Sequence, residues 1–219
     1  MTRIDAVVFD LDGVLVQTEE LWDDVRERLT RERGGRYDAE AQRAMMGMSS
    51  LEWSQYMSEE LGVPEPPEAI SAEVVRRMEA RYRERLPLVE GAREAVERLA
   101  ARWPLGLASS SNRPLIDAVL ELAGLTERFA ATVSSEEVPR GKPAPDVYLE
   151  AAARLGADPA GCAAIEDSHT GIRSARAAEM RVIAIPNAAF PPGEEALADA
   201  DVVLASLDEL RPEVVDPSL

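Results

Sequence analysis

Two aspartates two positions apart, Asp10 and Asp12, directly follow the apolar segment 7–9 and precede Gly13. An apolar run of this length is typical of one buried strand of a parallel sheet, and ligands of open α/β sheets bind beyond the carboxyl ends of the strands. Two carboxylates there can attack a substrate, transfer protons or hold a metal ion. The same residues are also typical of a strand that runs into an Asp-rich turn capping a helix. An EF-hand calcium loop is excluded, because the glycine is fourth in the motif and not sixth.

Polar side chains also follow two later apolar runs, and a lysine lies in the loop between them. These residues are Ser109, Ser110, Lys142, Glu166 and Asp167. Because the carboxyl ends of parallel strands meet at one edge of a sheet, we expect these side chains to lie beside Asp10 and Asp12. Carboxylate oxygens suit Mg²⁺, and a lysine and a hydroxyl group can take the remaining oxygens of a phosphate. The set therefore suits a phosphate group bound through a divalent cation.

The elements that must position these residues alternate between strand and helix from about residue 91 onward, which is typical of a parallel sheet. Residues 16–86 instead show only helical patterns. The first strand belongs with the later ones, so we predict an α/β fold with a Rossmann-like parallel sheet core and an inserted small all-helical cap domain. The predicted core comprises residues 1–15 and 87–219. The predicted cap, 16–86, would lie above the strand ends, where it can act as a lid.

The composition excludes some partners. The chain of 219 residues has 24 Lys plus Arg and 41 Asp plus Glu, so its formal net charge is −17. Such a surface repels nucleic acid and anionic membranes, and it repels a phosphorylated metabolite unless a cation is supplied locally. The single cysteine, Cys162, has apolar neighbours and is predicted to be a buried thiol. We see no signal peptide before the first strand and no apolar run of about 18 residues, so we expect a cytoplasmic protein.

Four segments, taken in order, resemble the motifs of the haloacid dehalogenase (HAD) superfamily. They are Phe-Asp-Leu-Asp-Gly-Val at 9–14, Ala-Ser-Ser at 108–110, Lys-Pro-Ala-Pro-Asp at 142–146 and Glu-Asp-Ser at 166–168 followed by Gly171. Four motifs in this order are much more specific than any one of them, and the resemblance covers nearly the whole chain. Within the superfamily the chain is similar to phosphatases and β-phosphoglucomutases in which a helical cap is inserted after the first motif.

The resemblance implies a role for each matched residue. Asp10 corresponds to the nucleophile that attacks phosphorus and forms an aspartyl-phosphate. Asp12 corresponds to the general acid that protonates the leaving oxygen and then, as a base, activates water. Ser109, with Ser110 beside it, corresponds to the motif that binds the phosphoryl group. Lys142 corresponds to the lysine that neutralises the nucleophile and the phosphate.

The resemblance also implies a Mg²⁺ cofactor. Asp167 corresponds to a direct metal ligand, and Glu166 would help directly or through water. Asp10 and the main-chain carbonyl of Asp12 complete the implied ligand set. His169 is the only histidine and lies beside this motif, but the two aspartates already supply the acid and the base, so we expect no catalytic role for it.

Several of these residues also have an ordinary structural interpretation. Ser111 and Asn112 are typical of a polar turn and a helix cap, and Asp146 is typical of a helix cap. Ser168, or the aspartate before it, can cap the helix that follows. Lys142, considered alone, is equally typical of a solvated loop lysine.

Asp12 discriminates among the reactions of the superfamily. Dehalogenases and phosphonate-cleaving relatives lack an acid two residues beyond the nucleophile, so its presence favours phosphate monoesters. β-Phosphoglucomutases carry a histidine after the first motif and a cap arginine that holds a second phosphate. This chain has Trp22 and Ser50 at the corresponding positions. We therefore predict a phosphatase, in which water accepts the phosphoryl group.

Two alternatives stay open. A β-phosphoglucomutase-type phosphomutase would need another cap cation, such as Arg76, Arg77 or Arg81, although these arginines are typical of a solvated helix face. A non-catalytic metal- or ligand-binding member of the fold is expected to have lost a reacting group. Asp10, Asp12 and the other reacting groups are all present.

The substrate is less closely indicated than the reaction. The candidate substrate-binding residues are Thr18, Trp22, Gly47 and Asn112, and further candidates for a lid are Met46, Met48 and Trp53. The methionines and the tryptophan could pack on the carbon skeleton of a sugar, but they are also typical of the core of a helical cap. We predict a small sugar phosphate or a related phosphorylated metabolite as substrate, with phosphoglycolate one candidate, and a monomeric enzyme.

Overall fold

The computed structural model describes residues 3–45, 48–187 and 191–219. Its strands are β1 (Ala6–Phe9), β2 (Leu105–Ser109), β3 (Phe129–Ser134), β4 (Cys162–Glu166), β5 (Arg181–Ala184) and β6 (Val202–Val203). They form one sheet in the order β3-β2-β1-β4-β5-β6, and each neighbouring pair is parallel. The chain order changes direction between β1 and β4, which is where doubly wound sheets bind their ligands. The prediction of a Rossmann-like parallel sheet is confirmed.

Helices connect these strands and fill the segment after β1. They are α1 (Glu19–Glu32), α2 (Ala39–Met45), α3 (Ser50–Glu59), α4 (Pro67–Glu84), α5 (Ala92–Ala100), α6 (Arg113–Ala123), α7 (Asp146–Leu155), α8 (His169–Ala177), α9 (Glu194–Leu197) and α10 (Pro212–Val215). In the described part of the chain, no helix is long and apolar enough to cross a membrane.

The strand β1 is fully buried, as its unbroken apolar run predicts. Val7 and Phe9 belong to the hydrophobic cluster on one face of the sheet, and Ala6 and Val8 belong to the cluster on the other. This division follows because neighbouring side chains of a strand point to opposite faces. The helices α5 and α6 contribute to the first cluster and α7 and α8 to the second, so β1 lies at the centre of a three-layer core.

The helices α1 to α4 follow one another without a strand in the described residues, and we call them the helical insert. Each buries an apolar stripe. The buried side chains include Val25, Leu29, Trp53, Met57, Ile70, Val74 and Met78. Ser49 and Glu52 form a reciprocal capping box that begins α3.

The insert joins the sheet domain through two adjacent segments. Val16 and Leu88 form an antiparallel bridge, the Gln17 amide donates to the Pro87 carbonyl at 2.8 Å, and the Val89 amide donates to the Leu15 carbonyl at 3.0 Å. The chain therefore leaves and re-enters the sheet domain through one paired connection. The helix α4 also packs against α6 of the sheet domain.

Candidate active site

A cavity of about 310 Å³ lies where the carboxyl ends of β1, β2 and β4 face the helical insert. Its sheet side carries the predicted residues Asp10, Asp12, Ser110, Lys142 and Asp167. Its other wall comes from the insert and includes Trp22, Asp23, Arg26, Gln42, Met48 and Trp53. His169 also lines the cavity, at the first position of α8. Residues separated by more than 150 positions in the chain are thus gathered around one space, as the shared edge of a parallel sheet requires.

Three buried carboxylates lie together on the sheet side, those of Asp10, Glu166 and Asp167. Each offers one oxygen, and these three oxygens all lie within 4.8 Å of one another. Burial, followed by the charge of Glu166, raises the pKa of Asp10 to about 8. Burial and the charges of Glu166 and Asp10 raise the pKa of Asp167 well above its usual range. Crowded carboxylates of this kind fit a hard divalent cation with oxygen ligands.

Lys142 provides the positive charge within this cluster. Its Nζ lies 2.9 Å from Asp10 Oδ1 and 2.6 Å from Glu166 Oε1, and it lies 5.0 Å from the centre of the Tyr148 ring. Burial by itself lowers the pKa of Lys142, but the charges of Asp10 and Glu166 outweigh it and raise the pKa above its usual value. The lysine is buried, so the interpretation as a solvated loop residue is wrong.

Glu166 receives hydrogen bonds on both of its carboxylate oxygens. Oε1 accepts from Lys142 Nζ and from the Tyr148 hydroxyl at 2.6 and 2.7 Å. Oε2 accepts from the Asp167 amide, the Ser168 amide and the Ser168 hydroxyl at 3.0 to 3.2 Å. A carboxylate engaged in this way positions its neighbours. The predicted contact of Glu166 with a metal ion, direct or through water, stays a prediction.

Asp167 contrasts with Glu166, because its Oδ1 is buried and accepts no hydrogen bond from the described residues. A buried carboxylate oxygen without a partner is costly, and a bound cation removes this cost. The residues present therefore fit a Mg²⁺ ion held by carboxylates.

Two glycines leave the space that these carboxylates occupy. A Cβ atom on Gly13 would lie 1.9 Å from Asp167 Oδ2, and Gly13 also has a φ of +83° that few other residues adopt. A Cβ atom on Gly171 would lie 1.8 Å from Glu166 Oε1. Both glycines are thus required by close approach to the carboxylate cluster.

Asp12 accepts hydrogen bonds from the helical insert and from the loop after β2. Its Oδ1 accepts from the Thr18 hydroxyl at 2.5 Å and from Trp22 Nε1 at 3.4 Å. Its Oδ2 accepts from the Ser111 hydroxyl at 2.6 Å. Donors from the insert and from the end of β2 therefore set the orientation of the Asp12 carboxylate. The predicted metal contact through its main-chain carbonyl stays a prediction.

The wall of the insert is aromatic and carries one guanidinium group. The Arg26 guanidinium carbon lies 4.7 Å from the centre of the Trp22 ring and 4.9 Å from that of the Trp53 ring. The two indoles are tilted by 56° with centroids 6.0 Å apart. Asp23 lies on the same wall, and its Oδ1 accepts from the Tyr37 hydroxyl at 2.5 Å.

The predicted phosphate-binding serines lie in different surroundings. Ser110 lines the cavity. Ser109 is fully buried beside it, and its hydroxyl accepts from the Ser111 amide at 2.9 Å. The contact between Ser109 and phosphate stays a prediction, and Ser111 joins Ser110 on the wall.

The four predicted substrate-binding residues divide into three groups. Thr18 and Trp22 line the cavity. Asn112 lies at the contact between α4 and α6, where its Nδ2 donates to Glu136 at 2.7 Å and lies 3.5 Å from the Ser71 hydroxyl. Gly47, like Met46, lies outside the described residues. Met48 and Trp53 line the cavity, as the lid interpretation expects.

The structure tests the predicted helix caps. Ser168 does cap α8, since its hydroxyl accepts from the Gly171 amide at 3.1 Å. The cap predicted for Asp146 is wrong, because it is the first residue of α7 and pairs instead with Arg140 at 2.9 Å. Asn112 does occupy the N-cap position of α6, as predicted, but its side chain donates to Glu136 and forms no capping hydrogen bond.

The three arginines of the helical insert that could have held a second phosphate are not among the residues that line the cavity. Arg77 pairs with Glu32 and Glu73, Arg76 pairs with Glu73, and Arg81 lies 3.6 Å from Asp24. The interpretation as a solvated helix face is confirmed for Arg76 and Arg81, whose side chains are 67% and 42% exposed, whereas the Arg77 side chain is only 22% exposed.

The sequence did not indicate three residues of the site. Arg26 and Ser111 line the cavity, and Tyr148 donates a hydrogen bond to Glu166. Arg26 had a usable signal, because it lies four residues after Trp22 and therefore on the same helix face. Ser111 had a weaker one, as part of a polar run after a strand. Tyr148 had no such signal, since its contact with Glu166 depends on how α7 packs on the face of the sheet formed by β1, β2 and β3.

Comparison with known proteins agrees with this geometry. A family model described as haloacid dehalogenase-like hydrolase matches residues 4–179. Hexitol phosphatase B from Escherichia coli K12 is 36% identical over 214 residues, which are 95% of this chain and 95% of that protein. The bifunctional riboflavin kinase/FMN phosphatase from Arabidopsis thaliana is 32% identical over 207 residues, and this chain spans only 54% of its length.

A solved structure shares the whole architecture. It is a mutant of CbbY from Rhodobacter sphaeroides in complex with xylulose-(1,5)bisphosphate. The TM-score is 0.86 at 27% identity, and the match covers 97% of this chain and 99% of that one.

Proposed function

The chain belongs to the haloacid dehalogenase-like hydrolases, and on this basis we propose that it is a Mg²⁺-dependent phosphatase that acts through an aspartyl-phosphate on Asp10. Its similarity to phosphatases makes it a phosphoric monoester hydrolase. The observation that carries the proposal is the position of Asp10 at the centre of the site. Lys142 contacts one of its oxygens, Asp167 lies beside it, and Asp12 lies on the same cavity.

We assign the cation site to Asp10, Asp167 and the main-chain carbonyl of Asp12, with Glu166 contributing through water. The unpartnered Oδ1 of Asp167 supports this assignment. When bound, Mg²⁺ neutralises the carboxylates and the phosphate oxygens, so that an anionic substrate can enter an acidic site.

The first half-reaction transfers the phosphoryl group to Asp10. Lys142 holds Oδ1 of Asp10, which leaves the second oxygen of the carboxylate to attack phosphorus. As the new oxygen–phosphorus bond forms, the bond from phosphorus to the leaving oxygen breaks, and Asp12 gives that oxygen a proton. Ser110 lies where it can donate to the oxygens of the transferring group.

The second half-reaction returns Asp10 to its starting state. Asp12, now ionised, takes a proton from a water molecule that attacks phosphorus, and the bond between phosphorus and Asp10 breaks to release phosphate. Asp12 accepts hydrogen bonds from three donors in the present arrangement. It must exchange one of them for the leaving oxygen or the water, and two of these donors belong to Thr18 and Trp22, at the start of the insert.

We further propose that residues 16–86 form a cap domain on a core of residues 1–15 and 87–219, and that the cap moves as a unit. The paired connection at Val16 and Leu88 supports this division, because both links lie side by side and can bend together. Closure of the cap would exclude bulk water while the phosphoryl group is transferred.

The chain is proposed to act as a monomer in the cytoplasm. The reacting groups all come from one chain, which supports the monomer. Cys162 is a free, buried thiol, which agrees with a reducing compartment.

A small sugar phosphate or sugar-alcohol phosphate is the proposed substrate. The named activity of hexitol phosphatase B supports this class, as does a cavity wall that combines aromatic faces with polar groups. Phosphoglycolate is a smaller candidate that the same reaction would accept.

The test is a phosphate-release screen over phosphorylated sugars, sugar alcohols, glycolate, glycerol and nucleotides, with Mg²⁺ and with EDTA. We expect Mg²⁺-dependent release with the wild-type chain and none with Asp10→Asn. Tight Mg²⁺ binding without release from any compound would contradict the phosphatase and support the non-catalytic binder.

A phosphomutase is the second candidate, because Arg26 places a cation on the cap side of the cavity. A coupled assay for conversion of β-glucose 1-phosphate to glucose 6-phosphate separates the two. Isomerisation without net phosphate release would favour the mutase.

A further inference from the structure

Arg26 lies against the faces of two indoles and lines the cavity. Trp22 and Trp53 lie within 5 Å of its guanidinium carbon, and Trp53 is fully buried. Within residues 3–45, 48–187 and 191–219, Arg26 forms no hydrogen bond and no ion pair, and its buried Nε lacks an acceptor. A guanidinium carries five donors in its own plane, and stacking on rings satisfies none of them. An acceptor from a ligand would supply what the protein does not.

Asp23 provides the complementary group on the same wall. Its Oδ1 is engaged by the Tyr37 hydroxyl, and its Oδ2 receives no hydrogen bond from the described residues. A donor and an acceptor side by side match a hydroxyl group, which is both. A second phosphate or a carboxylate would meet Asp23 and the nearby Glu19 as like charges.

Trp22 lies between the reacting groups and Arg26 and contacts both Asp12 and Arg26. Its indole nitrogen lies 3.4 Å from Asp12, and its ring lies under the guanidinium. One indole side chain therefore separates the two ends of the cavity. We expect a sugar-sized chain held at Asp10 to reach Arg26 more easily than a two-carbon ester does.

We infer that Arg26 is a specificity-determining residue, which together with Asp23 binds a hydroxyl group at the far end of a neutral polyol whose other end carries the phosphate. The inference rests on the proposed phosphatase activity and narrows its substrate class. It favours phosphorylated polyols of sugar length over phosphoglycolate and over bisphosphates. The aromatic faces of Trp22 and Trp53 would then pack beside the carbon chain.

The test compares kcat/KM for sorbitol 6-phosphate, ethyl phosphate and fructose 1,6-bisphosphate. For Arg26→Met, we expect the value for sorbitol 6-phosphate to fall at least tenfold further than the value for ethyl phosphate, whose shorter chain should reach Arg26 less easily. Arg26→Lys keeps the charge without the planar fork and should restore only part of the loss. The matched control is Arg28→Met, because Arg28 lies on the same helix but pairs with Asp24 at the surface.

A second variant, Asp23→Asn, tests whether the negative charge of Asp23 selects against a substrate with an anionic far end. We expect kcat/KM to fall for sorbitol 6-phosphate and to rise for fructose 1,6-bisphosphate, because a repelling charge is removed. Equal losses of Arg26→Met on all three esters would mean that the residue is only structural, and would overturn the inference. A wild-type preference for the bisphosphate that Arg26→Met abolishes would overturn it in favour of an anionic end group. No phosphate release by the wild-type chain from any ester would contradict the proposed function and this inference with it.

Discussion

The hydrogen bonds to Asp12 decide how well this residue can serve the leaving group. Thr18 and Ser111 hold its two oxygens at 2.5 and 2.6 Å, and Trp22 adds a weaker contact. A general acid must be aimed at the oxygen it protonates, and small errors of aim are costly. The orientation of Asp12 therefore depends on a residue that lies between the first motif and α1.

Replacing Thr18 tests this dependence. We expect Thr18→Val to lower kcat/KM for alkyl phosphates roughly tenfold more than for p-nitrophenyl phosphate, because a hydrogen bond to a charged group contributes about 1.5–3 kcal/mol. A nitrophenolate leaves without a proton, so this ester hardly needs the acid. The control is Thr30→Val, since the Thr30 hydroxyl is buried without a partner among the described residues. Equal losses on both esters would mean that Thr18 does not act through Asp12.

The carboxylate cluster should make the metal-free protein less stable as pH rises. The pKa of Asp10 is raised from 3.8 to about 8, so the folded chain holds this proton more tightly than the unfolded chain. Stability is then fully present below about pH 4 and is lost as pH rises toward about 8.

The corresponding measurement is thermal unfolding of the wild type and Asp10→Asn in EDTA from pH 5 to 9. We expect the free energy of unfolding of Asp10→Asn to increase relative to that of the wild type as pH rises, by more than about 1 kcal/mol at pH 9. Adding Mg²⁺ should raise the stability of the wild type most, because its ligand set is complete. A difference between the two proteins that stays constant with pH would show that Asp10 is not destabilised by its neighbours.

The turn from β4 into α8 illustrates how an element is shaped by the site. Gly171 is the third residue of α8, a position where alanine would favour the helix by about 1 kcal/mol. A Cβ atom there would overlap Glu166, which accepts charge-assisted hydrogen bonds from Lys142 and others. Each such bond contributes roughly 1.5–3 kcal/mol, so the collision outweighs the helical preference.

We therefore expect Gly171→Ala to lower both the free energy of unfolding and the rate of phosphate release, the latter by at least roughly tenfold, because Lys142 loses its anchor. Urea unfolding and the phosphate assay measure the two effects. Gly141→Ala is the control, because its Cβ would lie at ordinary distances of 3.6 and 3.7 Å from Ser49 and Ser135. A more stable Gly171→Ala protein with full activity would contradict this account.

Most of the fold could be predicted from local patterns. The strands β1, β2 and β4 are unbroken apolar runs that end in polar residues, and such runs have few alternatives in an alternating α/β chain. The positions of Asp10, Asp12 and Asp167 followed from the rule that parallel strands end at one edge. Side-chain caps were harder to predict, because the side chains of Asn112 and Asp146 bond to Glu136 and Arg140 and not to the adjacent backbone.

The wall of the insert could not be predicted in the same way. Arg26 lies between Trp22 on its own helix and Trp53 on α3, and only the packing of α1 against α3 brings the second ring near. The full hydrogen bonding of Glu166 likewise depends on Tyr148 of α7. Contacts between elements decide these features, and periodicity within one element carries no information about them.

The molecule has its cavity between two parts that are joined, in the residues the structure describes, by one paired connection. Core and insert also touch at Asn112 and Ser71, whose side chains are 3.5 Å apart, and through α4 and α6. A long polar contact of this kind is weak and can be exchanged at little cost. The insert is therefore expected to rotate about the segments near Val16 and Leu88 while the sheet stays rigid.

Distances between spin labels can test this motion. Leu51 on the insert is 60% exposed, and Leu122 on α6 is 38% exposed, so cysteines at these positions accept a label. The native Cys162 should stay unlabelled at neutral pH, because it is buried and its surroundings raise the pKa of its thiol to about 11. The control pair is Leu122→Cys with Leu149→Cys, since both positions lie on the sheet domain.

We expect Mg²⁺ and beryllium fluoride, a mimic of the phosphorylated aspartate, to shift and narrow the distance distribution between positions 51 and 122. Binding at Asp10 favours the arrangement in which the insert closes over the phosphoryl group, because only that arrangement brings both walls of the cavity to the ligand. The distance between positions 122 and 149 should not change. If neither distance responds although the mimic binds, the cap does not close on the phosphorylated state, and water must be excluded by side chains already in place around Asp12.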